Sequence, residues 1–307
     1  MIKFLCKLGI VYLVFTGTLL SLELILMSKP NLYSHKKAYL DSHLDDISLL
    51  IIGQSHFEEG INPTYLRDDS IYNFAISGQG FIYTEQLACK YIPQMKNLKV
   101  VFVPFRYGMG YRDKNKKQGD FESTYRCMYL KYMHLHTNKL TDWMYWSEFA
   151  NSKLNIIERL HGKPDQSLLG LSFEELDSLK GFIPLKLKGR GKEWETGHLP
   201  GEFDFKTPDD VYHQRINTIA NLCQERGIRL ILISIPWWHS AHAKMTKQGI
   251  AAMQKVTDEL HMKYSCLEYH NYVFDKRFTA DDFNDATHLN ELGSHKFSLI
   301  LKNDLHL

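Results

Sequence analysis

The sequence predicts an α/β protein built on a parallel sheet, with a long apolar helix at its N-terminus and a helical insertion. Two observations carry the sheet. Short apolar runs at 47–52, 70–76, 98–105 and 229–235 alternate with longer stretches of helical period. Strands apolar on both faces and joined by helical crossovers form parallel sheets covered on two sides. A third observation concerns the start of the chain, where residues 8–27 carry a single charge, Glu23. About twenty such residues suffice for a helix to cross a hydrocarbon core.

Taken in order, residues 1–30 read as a membrane anchor. Lys3 and Lys7 precede the apolar run, and Leu24-Ile25-Leu26-Met27 leads into Ser28-Lys29-Pro30 without the small residues that end a cleaved signal peptide. Signal peptide and amphipathic or core helix are the rivals, the second because of Glu23. Lys29, Lys36 and Lys37 balance Lys3 and Lys7, so charge decides orientation poorly. With no long domain before the span, the expected arrangement is a single pass with the body, residues 31–307, outside the cytoplasmic membrane.

The run at 47–52 is the first strand, and it ends in the turn Gly53-Gln54-Ser55-His56. The second and third strands are expected at 70–76 and 98–105. Residues 111–205 break the rhythm, being rich in aromatic and charged side chains, and are read as an insertion over the ligand-binding edge of the sheet. Its Trp143, Trp146 and Trp194 are either stackers for sugar rings or the insertion's own core. At Thr207-Pro208-Asp209-Asp210 a threonine cap, a first-turn proline and two acids predict a helix to about Glu225, stopped by Gly227. The fourth strand follows at 229–235, then a helix from Ala243 to about Lys263 and a short strand near 265–269.

Composition excludes several classes. Lys plus Arg total 37 against 35 Asp plus Glu, so the broad basic field that nucleic acid needs is absent. The five cysteines, Cys6, Cys89, Cys127, Cys223 and Cys266, form no C-x-x-C pair, which argues against a zinc ribbon and leaves room for one bridge among the last four. The pairs His239/His242 and His134/His136 lack an H-E-x-x-H helix or nearby cysteines, so no metal is expected. Gly108-Met109-Gly110 and Gly189-Arg190-Gly191 are fragments of a dinucleotide pattern without its strand, third glycine or ribose acid, so no cofactor is expected either.

The chemistry concentrates at two turns. Ligands of an open parallel sheet bind beyond the carboxyl ends of its strands, where Ser55 falls. Ser55 is either the cap of the next helix or a nucleophile, and a serine nucleophile needs a base and an acid that orients it. Asp285-Ala286-Thr287-His288 supplies both: an aspartate three residues before a histidine, in a loop entering a helix, can fold its carboxylate onto the ring. His56 adjoins the serine and is assigned only to the pocket wall. An α/β-hydrolase elbow is excluded because Phe57 stands where its last glycine belongs.

Ser55 in an early Gly-x-Ser turn, followed late in the chain by Asp285-x-x-His288, resembles the SGNH, or GDSL, hydrolase superfamily. The resemblance implies a flavodoxin-like three-layer α/β/α sandwich with Ser55, Asp285 and His288 as catalytic residues. The stretch Asn73 to Gly80 is similar to the family's second block, which assigns the amide of Gly78 to the oxyanion beside that of Ser55. The third block departs, since Phe105-Arg106-Tyr107-Gly108 stands where the family carries Gly-x-Asn-Asp. Arg106 or Tyr107 is then a substitute donor or substrate contact, or the oxyanion hole has two members. With the membrane span, these features resemble the divergent cell-envelope branch that includes alginate acetylation and teichoic-acid D-alanyl transfer proteins. The implied function is a serine esterase or O-acyltransferase acting on an acylated envelope glycan, alongside other components of a modification system. The rival is a catalytically weak scaffold of the same fold.

Overall fold

A computed structural model describes residues 1–66, 70–114, 128–129, 132–135, 168–186 and 202–307. Trp143, Trp146, Trp194, His136, Cys127 and the 189–191 glycines lie outside the described residues, and with them most of the expected insertion.

Two compact units are distinguished: residues 1–37 with 124–170, and residues 38–123 with 171–307. The first contains α1 (Ile2–Met27), a 26-residue helix of mean hydropathy 2.1. At 1.5 Å per residue it measures about 39 Å, long and apolar enough to cross a membrane. Two of its hydroxyls are spent within the helix: Thr18 donates to the Val14 carbonyl at 2.9 Å and Ser21 to that of Gly17 at 2.8 Å. In the same unit the rings of Tyr33 and Tyr129 meet edge to face, centroids 5.3 Å apart. Helix α2 (Leu32–Ser42) begins here and continues into the second unit.

The second unit carries, in order, β1 (Leu49–Ile51), α3 (Ser55–Glu58), β2 (Ile71–Asn73), α4 (Phe81–Tyr91), β3 (Val100–Pro104), β4 (Tyr111–Asp113), α5 (Phe173–Ser178) and β5 (Phe203–Pro208). It ends with α6 (Asp210–Glu225), β6 (Arg229–Ser234), α7 (His239–His242), α8 (Lys247–Lys263), β7 (Leu267–Asn271) and α9 (Glu291–Asp304). The main sheet has the order β2-β1-β3-β6-β7, every pair parallel. Counting only these strands, the order is the flavodoxin-like 2-1-3-4-5, and helices cover both faces in a three-layer α/β/α arrangement. Leu50, Ile51, Val101, Phe102 and Leu230 to Leu232 have no exposed surface, as strands buried on both faces require. The helices turn one stripe inward: α4 buries Tyr83, Thr84, Leu87, Ala88 and Tyr91, the 3-4 spacing of one face.

Three expected boundaries move. Thr207 does not cap α6, because its hydroxyl is taken at 2.7 Å by the Asp204 carboxylate; Asp209 caps instead, accepting from the Tyr212 amide at 3.1 Å. Residues 203–208 form a strand that pairs antiparallel with β4, which joins the two ends of the segment expected as an insertion. The helix expected from Ala243 starts at Lys247, where Thr246 accepts from the Gly249 amide at 3.0 Å. The last strand lies two residues later than expected, since a turn closed by Leu267 N–H to Tyr264 O absorbs Ser265 and Cys266. Of the cysteines, Cys6, Cys89, Cys223 and Cys266 are free thiols.

Asn73 ties the second strand to the site. Fully buried, it donates from Nδ2 to the carbonyls of Phe57 at 2.7 Å and Ile61 at 2.8 Å, and its Oδ1 accepts from the Ala75 amide at 3.1 Å. Three buried bonds at about 1 kcal/mol each predict that Asn73→Ala lowers the unfolding free energy by about 3 kcal/mol. Denaturant titration of the detergent-solubilised chain checks this, and a loss under about 1 kcal/mol would contradict it.

Candidate active site

The strand order reverses between β1 and β3, and this switch point is where a crevice opens beyond the strand ends. Pairing carries on past β1 toward it, with Ile52 N–H bonding Phe102 O at 3.1 Å and Ile76 N–H bonding Gly53 O at 3.0 Å. Gly53 then allows a close approach, because a Cβ there would stand 2.7 Å from the Pro104 ring. Ser55 is the first residue of α3, and the preceding Gln54 takes the cap position with its backbone. The Ser55 hydroxyl is therefore not consumed in capping. It lies 3.0 Å from Nε2 of His288.

His288 is held by its own loop. The Phe283–Leu289 bridge and the bond from Asn284 N–H to His288 O, at 2.8 Å, close a tight turn. Inside it Asp285 Oδ1 accepts the amides of Thr287 at 2.8 Å and His288 at 2.9 Å, which turns the carboxylate back onto the ring. Nδ1 of His288 stands 2.9 Å from Asp285 Oδ2 and 3.0 Å from Oδ1. A carboxylate only accepts, so the ring proton sits on Nδ1 and the Nε2 lone pair faces Ser55. Asn290 anchors the far side, capping α9 through the Leu292 and Gly293 amides while donating to the Asp281 and Phe283 carbonyls.

The charges follow from this geometry. Burial favours the neutral form of Asp285, but the bonds and charge of His288 and the two amides outweigh it and lower its pKa to about 2. Burial likewise pushes the His288 pKa down, yet Asp285 and, more weakly, Glu59 hold it above the usual imidazole value.

The amides of Ser55 and Gly78 make no hydrogen bond among the described residues and are left as open donors. Gly78 sits at φ 76°, a left-handed conformation that favours glycine. Its turn is pinned by a residue the sequence reading missed: the buried carboxylate of Glu58 accepts the Ser77 amide at 2.7 Å and the Ser77 hydroxyl at 2.6 Å.

A second missed residue is Glu59, four positions after Ser55 and so on the same helical face, a spacing legible in the sequence. The Ser77 hydroxyl approaches its Oε1 at 3.1 Å. Burial above all, then the charges of Glu58 and Asp285, raise its pKa to about 7 against the pull of His288 and Ser77. The folded protein thus keeps a proton that the unfolded chain releases between about 4.5 and 7, and stability falls as pH rises through that window. Glu59→Gln should raise the thermal midpoint more at pH 8 than at pH 4, and should move the acid limb of any activity profile to lower pH by removing a charge that favours imidazolium. Equal midpoint changes at both pH values would contradict the first statement, and an unmoved limb the second.

Of the remaining assigned residues, His56 is buried with its ring 4.3 Å from that of His288, and it lines a cleft with Phe105, Arg106, Ile235 and Trp237. Arg106 enters this cleft at the end of β3. Tyr107 is not brought to the triad: its hydroxyl accepts the Thr246 amide at 3.0 Å at the start of α8, and its ring packs on Phe203 and Phe205. Residues 180–185, within the segment expected as an insertion, form a strap beside the site. Lys180 O, Ile183 N–H and Leu185 O bond Asn73 N–H, Glu58 O and Glu291 N–H at 2.9, 3.1 and 3.0 Å, beside α3 and the start of α9. Among the described residues no three His, Cys, Asp or Glu side chains converge as metal ligands do.

No family model and no curated protein matches the chain. Solved structures similar to it include the following three. A GDSL-like lipase from Bacteroides thetaiotaomicron shares 11% identity over 90% of this chain and 98% of that one, with a TM-score of 0.41. A candidate acylhydrolase from Bacteroides fragilis shares 9% over 88% and 93%, with a TM-score of 0.44. A candidate platelet activating factor from Streptococcus pneumonia shares 12% over 97% and 99%, with a TM-score of 0.45.

Proposed function

We propose that the protein is a membrane-tethered serine hydrolase or acyltransferase of SGNH type that acts on an acyl ester through an acyl-enzyme. The observation that carries this reading is the continuous line from Ser55 Oγ to His288 Nε2, at 3.0 Å, and from His288 Nδ1 to Asp285, at 2.9 Å, at the switch point of the sheet. Ser55 attacks the ester carbonyl, His288 takes the serine proton and delivers it to the departing alkoxide, and Asp285 holds the imidazolium. The amides of Ser55 and Gly78 receive the developing oxyanion, where each such donor is worth roughly 3 kcal/mol. Water or a sugar hydroxyl then takes the acyl group from Ser55, and which of them does so separates hydrolysis from transfer.

Membrane attachment through α1, an extracytoplasmic body and an acylated envelope glycan as substrate belong to the same proposal. The apolar span of α1 supports the first. A fluorophosphonate probe tests the chemistry: covalent labelling mapped to Ser55 and absent in Ser55→Ala is expected. A folded protein that takes no label favours the scaffold reading, which the missing asparagine of the third block supports.

A further inference from the structure

Among the described residues Arg106 is a cation without a paired anion. It follows β3, which pairs with β1, so it emerges beside the turn that carries Ser55. It lines the cleft with His56 and Trp237, and apart from Ser234 the other walls are apolar, Phe57, Ile235 and Val273 among them. Among the described residues its guanidinium makes no ion pair and no hydrogen bond, and Nε has no exposed surface. The charge of Asp113 reaches it without forming a pair, and its own charge reaches His288.

A guanidinium keeps its proton in proteins, so burial cannot be relieved by neutralisation. Holding the buried Nε edge without an acceptor is costly, and the planar fork is shaped for two parallel bonds to a carboxylate or phosphate. A second donor stands with it. The phenol of Tyr212 is buried, has no hydrogen-bond partner among the described residues, and its ring packs on Phe105 of the same cleft, centroids 6.4 Å apart. A half-buried guanidinium whose Nε is buried and unbonded, beside a buried phenol without an acceptor among the described residues, describes a receptor for an anion rather than a packing element.

We propose that Arg106 and the Tyr212 hydroxyl bind a carboxylate or phosphate group of the substrate, so that the ester taken by this site is anionic close to its scissile carbonyl. The proposal rests on reading Ser55 as the acyl acceptor. It differs from a role for Arg106 as third oxyanion donor, which would slow every ester alike.

The test uses the full-length chain in detergent and has two arms. In the Ser55→Ala background, which needs no turnover, succinate and inorganic phosphate are titrated at constant ionic strength against neutral succinamide. Either anion should bind and raise the thermal midpoint while succinamide does not, and the better of the two identifies the group. Adding Arg106→Gln should weaken that binding about tenfold or more, as loss of a charge-assisted bidentate contact does. Should that variant not fold, Arg106→Lys keeps the charge, loses the fork and should still weaken binding severalfold. Anion binding unaffected by either variant, or no anion binding, overturns the proposal.

In the second arm the Ser55-containing enzyme is given 4-nitrophenyl acetate and mono-4-nitrophenyl succinate. Arg106→Gln should lower the succinyl-to-acetyl ratio of kcat/KM about tenfold or more. Equal losses on both esters overturn the proposal in favour of the oxyanion role. Absence of turnover on every ester, with Arg106-dependent anion binding intact in the first arm, refutes the acyl-transfer reading instead.

Discussion

Ser55→Ala is expected to lose ester turnover by about 10,000-fold or more while the protein stays folded. The hydroxyl is the atom in line with the imidazole, at 3.0 Å from Nε2, and among the described residues it makes no other hydrogen bond. Removing it deletes the acyl acceptor, and no neighbour replaces it: the Ser77 hydroxyl is bound to Glu58 and Glu59. The structural cost is one partly buried bond, about 1 kcal/mol, so the thermal midpoint should move by only a few degrees. Steady-state kinetics on 4-nitrophenyl acetate and a melting curve, run together, separate loss of chemistry from loss of fold. A decrease smaller than about 100-fold would remove Ser55 from the mechanism.

The second large effect is expected at Asp285. An asparagine there keeps the shape but offers an amide where the ring nitrogen needs an acceptor, which favours the wrong tautomer and costs about 10,000-fold in kcat in triads of this geometry. Here the replacement has a further consequence, because Asp285 also accepts two backbone amides and shapes its own turn. Its pKa of about 2 means that its stabilising contribution is present above the ordinary carboxylate range and disappears as pH falls toward 2. The raised pKa of His288 contributes stability below the ordinary imidazole value and loses it as pH rises through the folded value. The pair therefore stabilises most between about pH 4 and 6.5. Asp285→Asn should lower the thermal midpoint most near pH 5, and an acid limb of the residual activity should shift to lower pH. A midpoint change independent of pH, with kcat within tenfold of the parent, would contradict both.

Taken by itself, the sequence determined those features that depend on local period and local chemistry. Runs apolar on both faces specified buried parallel strands, and twenty nearly uncharged residues specified α1. The three-residue spacing of Asp285 and His288 specified an acid that folds onto its own imidazole, because the contact needs only one turn of loop. Ser55 and Glu59 were within the same reach, four residues apart on one helical face, yet the value of Glu59 depends on burial that no local pattern shows.

Tertiary structure alone decided the contacts between distant segments and the desolvation they impose. That Ser55 meets His288 across 233 positions is decided by the tertiary fold, which brings the loop after β7 to the turn that follows β1. Thr207 lost the α6 cap to Asp209 because pairing with β4 extended the chain there and Asp204 captured the hydroxyl. Tyr107 went to the start of α8, and Arg106 alone of the two turned into the cleft. Residue identity sets which bonds a side chain is able to make; packing sets which partners are in reach and how much water is left to compete for them.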